Sequence, residues 1–331
     1  DLAQAEAIGD LIHASSTAAH RASLSHLKGR YSELLAGLRS ELLELAAFIE
    51  LELDFSDEDV EFADRDRLET LLARVDDTLS RLLASYPLGE RLREGVRVVI
   101  GGRPNAGKST LLNALVGHER AIVSAQPGTT RDEIEVDAEI GGLRFRFVDT
   151  AGIRLTDDAV EAEGVRRARR AIDLADILIY VYDAARGLEP DEESLIAEIQ
   201  VARSDLPFIV VANKLDLAPG APADHLGLSA TAARQDERLL VPLIDRMSQA
   251  ATDGITDVDA SAVVMNQRHV QHLKTALAAV ERARRAMRHG ESGDLLALDL
   301  RTALDELGAI TGEITNEDVL DQIFSRFCIG K

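Results

Sequence analysis

The chain has 331 residues, 46% hydrophobic but only 4% aromatic and without Trp, so it can bury a sizeable core, and that core must rest on Leu, Ile, Val and Ala. A formal net charge of −21 excludes a general nucleic-acid binder, because phosphate contacts need Lys and Arg; any RNA contact must be local or supplied by a partner. One cysteine, Cys328, excludes an internal disulfide framework and fits a reducing, cytoplasmic setting, and no apolar run approaches the ~20 residues of a membrane-spanning helix. The start, Asp1-Leu2-Ala3-Gln4, has neither a signal-like segment nor an initiator Met, so a fragment of a longer protein is expected.

Residues 1 to 94 read as helical. Leu2, Ile8, Leu11 and Ile12 fall at helical spacing, and Leu24 to Leu53 is a Leu- and Glu-rich stretch with Leu34, Leu38, Leu42, Leu45, Phe48 and Ile49 as its apolar positions. Phe55 to Asp59 breaks it, with Ser56 or Asp57 as a cap. A second amphipathic helix runs over Leu68, Leu71, Leu72, Val75, Leu79, Leu82 and Leu83, and Pro87 is expected to end it. From Val96 strands and helices alternate, the pattern of a three-layer α/β domain. Strands are predicted at Val96 to Ile100, Ile134 to Ile140, Leu143 to Val148, Ile177 to Tyr182 and Phe208 to Ala212, with Gly141-Gly142 as a hairpin turn. Helices are predicted over Val160 to Leu174, Glu192 to Arg203 and Asp236 to Ala250, and then, in a second helical block, over Val270 to His289, Leu295 to Leu307 and from Thr315 onward. A basic cluster at Arg282, Arg284, Arg285 and Arg288 is a local candidate for RNA phosphates, although charge runs are more often solvated helix faces.

The chemistry centres on Gly102 to Ser109, a Gly-x-x-x-x-Gly-Lys-Ser phosphate loop between a β-branched strand and a helix. Its glycines let the backbone wrap a phosphate, and N–H groups from Asn105, Ala106, Gly107, Lys108, Ser109 and Thr110 converge at a helix N-terminus that favours anions. Lys108 would reach the β- and γ-phosphates and the Ser109 hydroxyl would ligate Mg²⁺. Asp149-Thr150-Ala151-Gly152 supplies an Asp that can hold Mg²⁺ through water and a Gly N–H that can sense the γ-phosphate. Gly128-Thr129-Thr130-Arg131-Asp132 sits where a switch loop belongs, with Thr130 as the second Mg²⁺ hydroxyl. In Asn213-Lys214-Leu215-Asp216 the Asp carboxylate can accept both guanine N1–H and N2–H₂, which adenine cannot offer, and Ser229-Ala230 would support the base from the far side. These motifs lie in order at strand C-termini, where α/β sheets bind ligands, and together specify GTP/GDP. The expected fold is an α/β P-loop (Ras-like) GTPase domain at 95–252 inserted into an all-α helical domain made of 1–94 and 253–331. One position departs from Ras-like enzymes: Ile153 stands where a Gln would orient the attacking water. Asp157, Asp158, Glu161 and Glu163 are nearby substitutes, and Arg131, Arg154 or a bound cation could stabilise the developing charge.

Gly102 to Asn113, the Gly-Thr-Thr-Arg-Asp loop, Asp149-Thr150-Ala151-Gly152-Ile153-Arg154 and the terminal Phe327-Cys328-Ile329-Gly330-Lys331 resemble the MnmE (TrmE) family, tRNA-modification GTPases of bacteria and mitochondria, over the whole chain. The resemblance implies a flavoprotein partner of the MnmG type, with which aminomethyl or carboxymethylaminomethyl groups are placed on a tRNA wobble uridine. It implies face-to-face pairing of GTPase domains stimulated by K⁺, with Asn105 and the carbonyls of Ser124 and Gln126 as the ion's ligands. It assigns catalysis to Glu161, and a part in the modification chemistry to Cys328, for which a small buried hydrophobe is the plainer reading. It also implies an upstream domain that binds 5-formyl-tetrahydrofolate and forms a constitutive homodimer. Two other readings share the nucleotide motifs: a ribosome-assembly GTPase of the Era or Der type, which the flanking helices and Cys-Ile-Gly-Lys tail disfavour, and a GTP-sensing interaction module with incidental turnover.

Overall fold

A computed structural model describes residues 1–54, 65–118, 135–149, 169–218, 220–252 and 263–313. The chain divides into two compact units. One comprises residues 1–15, 19–93 and from 255 on, and the other residues 16–18 and 94–254.

The first unit is helical among its described residues: α1 (Leu2–His13), α2 (Thr17–Leu27), α3 (Arg30–Asp54), α4 (Arg65–Ala84) and α5 (Tyr86–Glu94). α1 opens on a reciprocal capping box between Asp1 and Gln4. The stretch expected to be continuous from Leu24 is divided at Gly29, whose φ of 86° is a left-handed turn that ends α2. Pro87 does not end a helix. It is the second residue of α5, and a missing N–H costs nothing in a first turn. Ser85 makes the actual break: its hydroxyl donates to the Leu82 carbonyl (2.6 Å) and accepts from the Val264 N–H (3.0 Å), so one side chain ends α4 and pins a segment far along the chain. The core is a continuous set of small and branched aliphatics from α3 and α4, including Leu35, Leu42, Leu72 and Leu79, closed by residues of two later helices at Gln267–Arg288 and Gly293–Thr311.

The second unit contains β1 (Val96–Gly101), α6 (Lys108–His118), β2 (Glu135–Ile140), β3 (Leu143–Asp149), β4 (Ile177–Asp183), α7 (Pro190–Ala202), β5 (Phe208–Asn213), β6 (Leu226–Gly227), α8 (Ala230–Ala233) and α9 (Val241–Thr252). α10 (Gln267–Arg288) and α11 (Gly293–Thr311) then return to the first unit. The sheet order is β2-β3-β1-β4-β5-β6, and only the β2–β3 hairpin is antiparallel. Gly141 and Gly142 close that hairpin at φ 60° and 83°, which glycine adopts without strain. β1 buries Val98 and Ile100 on one face against Leu111 and Leu115 of α6, and Val99 on the other against Leu178. Helices on both faces and parallel strands in the middle leave the C-terminal strand ends as the place for a site.

Candidate functional site

The loop after β1 is shaped by two glycines that no other residue could replace. Gly102 has φ 134°, and a Cβ there would meet the Val181 carbonyl oxygen at 2.0 Å; Gly107 has φ 100°, and a Cβ would meet Asn213 Nδ2 at 2.1 Å. Asn105, at φ 63°, completes the turn in the left-handed region that Asn tolerates. Lys108 lies back over this loop, only 9% exposed, and its Nζ donates to the carbonyls of Gly102 (2.7 Å) and Arg103 (3.0 Å). Ala106 is buried, Thr110 half-buried, and Asn105 and Ser109 are exposed. Asp149 is the last residue of β3, paired in register with Ile100 beside the loop.

Asn213 joins the two halves of the site. It ends β5 and is 2% exposed. Its Nδ2 donates to the Ala106 carbonyl (2.8 Å), and its Oδ1 accepts from the Ala230 N–H (2.9 Å). One side-chain amide thus fixes the phosphate loop to the Ser229-Ala230 loop, whose own turn is capped by Ser229 Oγ accepting from Ala232 N–H (3.2 Å). Lys214 is left-handed (φ 67°) and donates to Asp183 Oδ2 at 2.7 Å. That hydrogen bond, with Lys214's charge, holds the Asp183 carboxyl below the usual carboxylate range. Asp216, two residues on, is exposed. A cavity of about 60 Å³ lies between the phosphate loop and the segment that follows β4, lined by Arg103, Asn105, Asp183, Glu189, Glu192 and Lys214 among others.

Asn105, Ala106, Gly107, Lys108, Asn213, Lys214, Ser229 and Ala230 therefore converge. Ser124, Gln126, Thr129, Thr130, Gly152, Glu161 and Cys328 lie outside the described residues, as do Arg131, Ile153, Arg154, Asp157, Asp158 and Glu163. Sequence reasoning missed Asp183, although its place at the end of a buried strand, in register with Asn213, was the available signal. It also missed Tyr182, whose hydroxyl hydrogen-bonds His225 Nδ1 at 3.0 Å. The basic cluster is largely occupied. Arg284 pairs with Glu69 and Asp76 (both 3.2 Å), Arg282 with Asp299 (2.8 Å) and Arg288 with Glu69. Burial pushes the Glu69 carboxyl up, but hydrogen bonds from Arg288 and Arg284 outweigh it and hold it below its usual range. These arginines stitch α10 to α4 and α11, which favours the helix-face reading over RNA contact.

A family model described as the MnmE helical domain matches residues 2–328. The tRNA modification GTPase MnmE of Salinibacter ruber is 61% identical over the whole chain, which spans 73% of that protein, and that of Chlorobium phaeobacteroides is 43% identical, with 71% of it covered. Among solved structures, Era of Aquifex aeolicus overlaps 55% of this chain and 66% of its own at 25% identity and a TM-score of 0.36, too partial a superposition to carry an argument. Among the described residues no helix is long and apolar enough to cross a membrane. A phosphate loop and a guanine-type loop tied together at the sheet's C-terminal edge, in a chain matched along nearly its full length, lead to one conclusion: this chain belongs to the MnmE family of tRNA-modification GTPases.

Proposed function

We propose that this GTPase is K⁺-stimulated and that its hydrolysis cycle drives the C5 aminomethylation or carboxymethylaminomethylation of a tRNA wobble uridine, with an MnmG-type flavoprotein as partner, in the cytoplasm. Residues 95–252 act as the GTPase domain, and 1–94 with 253–331 as the helical domain. The observation that carries the nucleotide part is Asn213, whose amide spans the phosphate loop and the Ser229-Ala230 loop, so that phosphate and base sites form as one unit.

The residues fit a Mg²⁺-bound guanine nucleotide. Gly102 and Gly107 let the loop pack directly on Val181 and Asn213 with its backbone curled in the left-handed region, Lys108 is poised on two carbonyls, and Asp216 is exposed where the base edge would lie. Lys108 neutralises phosphate charge, Asp216 selects guanine, and Ser109, Thr130 and Asp149 would hold Mg²⁺, which supplies charge neutralisation between the β- and γ-phosphates. Thr129 and Gly152 would face the nucleotide through the switch loops. Asn105, Ser124 and Gln126 would hold K⁺, which supplies positive charge where Ile153 leaves no water-orienting amide. Glu161 orients the attacking water, and Cys328 serves the modification chemistry. GTPase domains pair face to face in the active state. A folate, 5-formyl-tetrahydrofolate, and constitutive dimerisation belong to the part of the family's length that this chain does not span.

The test compares GTP turnover in K⁺ and Na⁺ for the chain and for Asn105→Ala. K⁺ should raise kcat at least about tenfold over Na⁺, roughly 1.4 kcal/mol of transition-state stabilisation, and Asn105→Ala should abolish that difference while GTP stays bound. Equal rates in the two salts would remove K⁺ from the reading, and full K⁺ stimulation in Asn105→Ala would remove Asn105.

A further inference from the structure

Arg103, the residue after the first glycine of the phosphate loop, reaches across the cavity beside that loop to the start of α7. Its Nη1 lies 2.9 Å from Glu189 Oε2, its Nη2 donates to Asp191 Oδ1 (2.6 Å) and Oδ2 (2.5 Å), and its Nε is 3.4 Å from Glu192 Oε2. Exposed ion pairs ordinarily contribute little, but networks with a rigid member are the exception. Here that member is Glu192, only 4% exposed. It accepts from Tyr180 Oη on β4 (2.8 Å) and from the Glu189 N–H (3.0 Å), the second bond closing a capping box with Pro190 in the first turn. Burial and the Glu192 carboxylate keep the Tyr180 phenol protonated, so it remains a donor. The guanidinium is therefore docked on a carboxylate that the sheet itself holds in place.

The same residue's backbone does something different. The Arg103 carbonyl is one of the two oxygens that hold Lys108 Nζ, the other being Gly102's. We propose that Arg103 is a positioning residue: its side chain, clamped by Glu189, Asp191 and Glu192, fixes the carbonyls that aim Lys108 at the nucleotide phosphates. This rests on reading Lys108 as the phosphate ligand. Without the clamp, the loop from Gly102 to Asn105 loses its outer anchor, and the ammonium is presented over a wider range of positions. Positioning of this kind acts on nucleotide retention more than on folding.

The experiment measures dissociation of a fluorescent GDP from the full chain, carrying Arg103→Ala, Arg103→Lys, the pair Glu189→Gln with Asp191→Asn, or that pair combined with Arg103→Ala. Release should be about tenfold faster in Arg103→Ala and in the acid pair, no faster in the combination than in either, and largely restored in Arg103→Lys. The unfolding midpoint without nucleotide should stay near wild type, since Glu189, Asp191 and Arg103 are all partly solvated. Release from Arg103→Ala within about twofold of wild type overturns the proposal. So does a fast Arg103→Ala beside an unaffected acid pair, which would mean that Arg103 reaches the nucleotide itself, and so do effects that multiply. If Arg103→Ala fails to fold, the acid pair alone decides. Lys108→Ala tests the underlying reading separately: normal GDP affinity in that variant removes Lys108 as a phosphate ligand, whatever the clamp does.

Discussion

The two units bury polar side chains for opposite ends. In the α/β unit, Lys108, Asn213, Glu192 and Ser229 are each less than a tenth exposed, and each is hydrogen-bonded to a loop at the C-terminal edge of the sheet. In the helical unit, the rings of His26, Tyr31 and His269 form a stack, with centroids 4.8 and 5.5 Å apart, and the Tyr31 hydroxyl, His26 Nε2 and His269 Nδ1 find no hydrogen-bond partner among the described residues. One end of that stack is anchored. His269 Nε2 meets Glu6 Oε2 at 2.7 Å, and Arg268 binds the same carboxylate while donating to the carbonyls of Ala309 and Ile310 at the end of α11. The α/β unit thus uses burial to aim polar groups at a ligand, whereas the helical unit uses aromatic and imidazole rings as packing and accepts the cost of their unmet polar atoms. Substitutions in the first should damage binding, and changes of pH should damage the second.

The largest effect is expected where the α/β network is most crowded. Gly107→Ala forces a Cβ into Asn213 Nδ2 and onto a backbone with φ 100°, so it breaks the tie to Ala106 and misplaces Lys108 together. Guanine-nucleotide affinity should fall at least about a hundredfold, near 3 kcal/mol, in a calorimetric titration, while the helical unit keeps its unfolding transition. Loss of the helical transition as well would break the division of labour between the units.

The helical stack should announce itself through acid. Burial pushes the His26 ring down to about 4, with the nearby His269 adding to it and a backbone hydrogen bond at Val263 opposing it. The folded state then refuses a proton that the unfolded chain accepts at its ordinary value of 6.5. The stabilisation is complete above that value and is lost as pH falls from there towards 4. His269, also lowered by burial, acts in the same sense. Between about pH 7.5 and pH 5 the helical unit should lose roughly 2 kcal/mol in denaturant unfolding, and His26→Gln should remove most of that slope. A wild-type unfolding free energy flat over this range would refute the neutral, buried state of the ring.

The smallest effects belong to the basic face of α10. Arg282, Arg284 and Arg288 serve carboxylates within their own unit, at partly exposed positions. Replacing any one by Ala should cost under about 1 kcal/mol of stability and leave tRNA affinity and its salt dependence unchanged. A shallower salt dependence in a filter-binding assay would return the cluster to RNA.

Much of the site was legible because its chemistry is local. Gly102, Gly107 and Lys108 fall within one loop, and the alternation of buried strands with amphipathic helices placed that loop and Asn213 at strand ends before any contact was known. The hairpin at Gly141-Gly142 was equally plain, since two positive-φ residues between alternating strands have few other uses. Pro87 misled because a proline forbids the interior of a helix but suits its first turn, and only the bond between Ser85 and Val264 shows which applies. Nothing in the sequence singled out Arg103, since its partner Asp191 is 88 positions away, and the arginines of α10 could be read as an RNA contact or as a solvated helix face until Glu69, more than two hundred positions earlier, was seen to hold two of them.

The sequence by itself determined which groups can meet a nucleotide, because a phosphate cradle and a guanine acceptor need particular residues at fixed short spacing. The tertiary structure alone decided which charges are spent internally, which rings are forced neutral, and what holds Lys108 in place. Those outcomes depend on burial and on pairing between distant segments, and a carboxylate or guanidinium has the same composition whether it faces water, a ligand or its own fold.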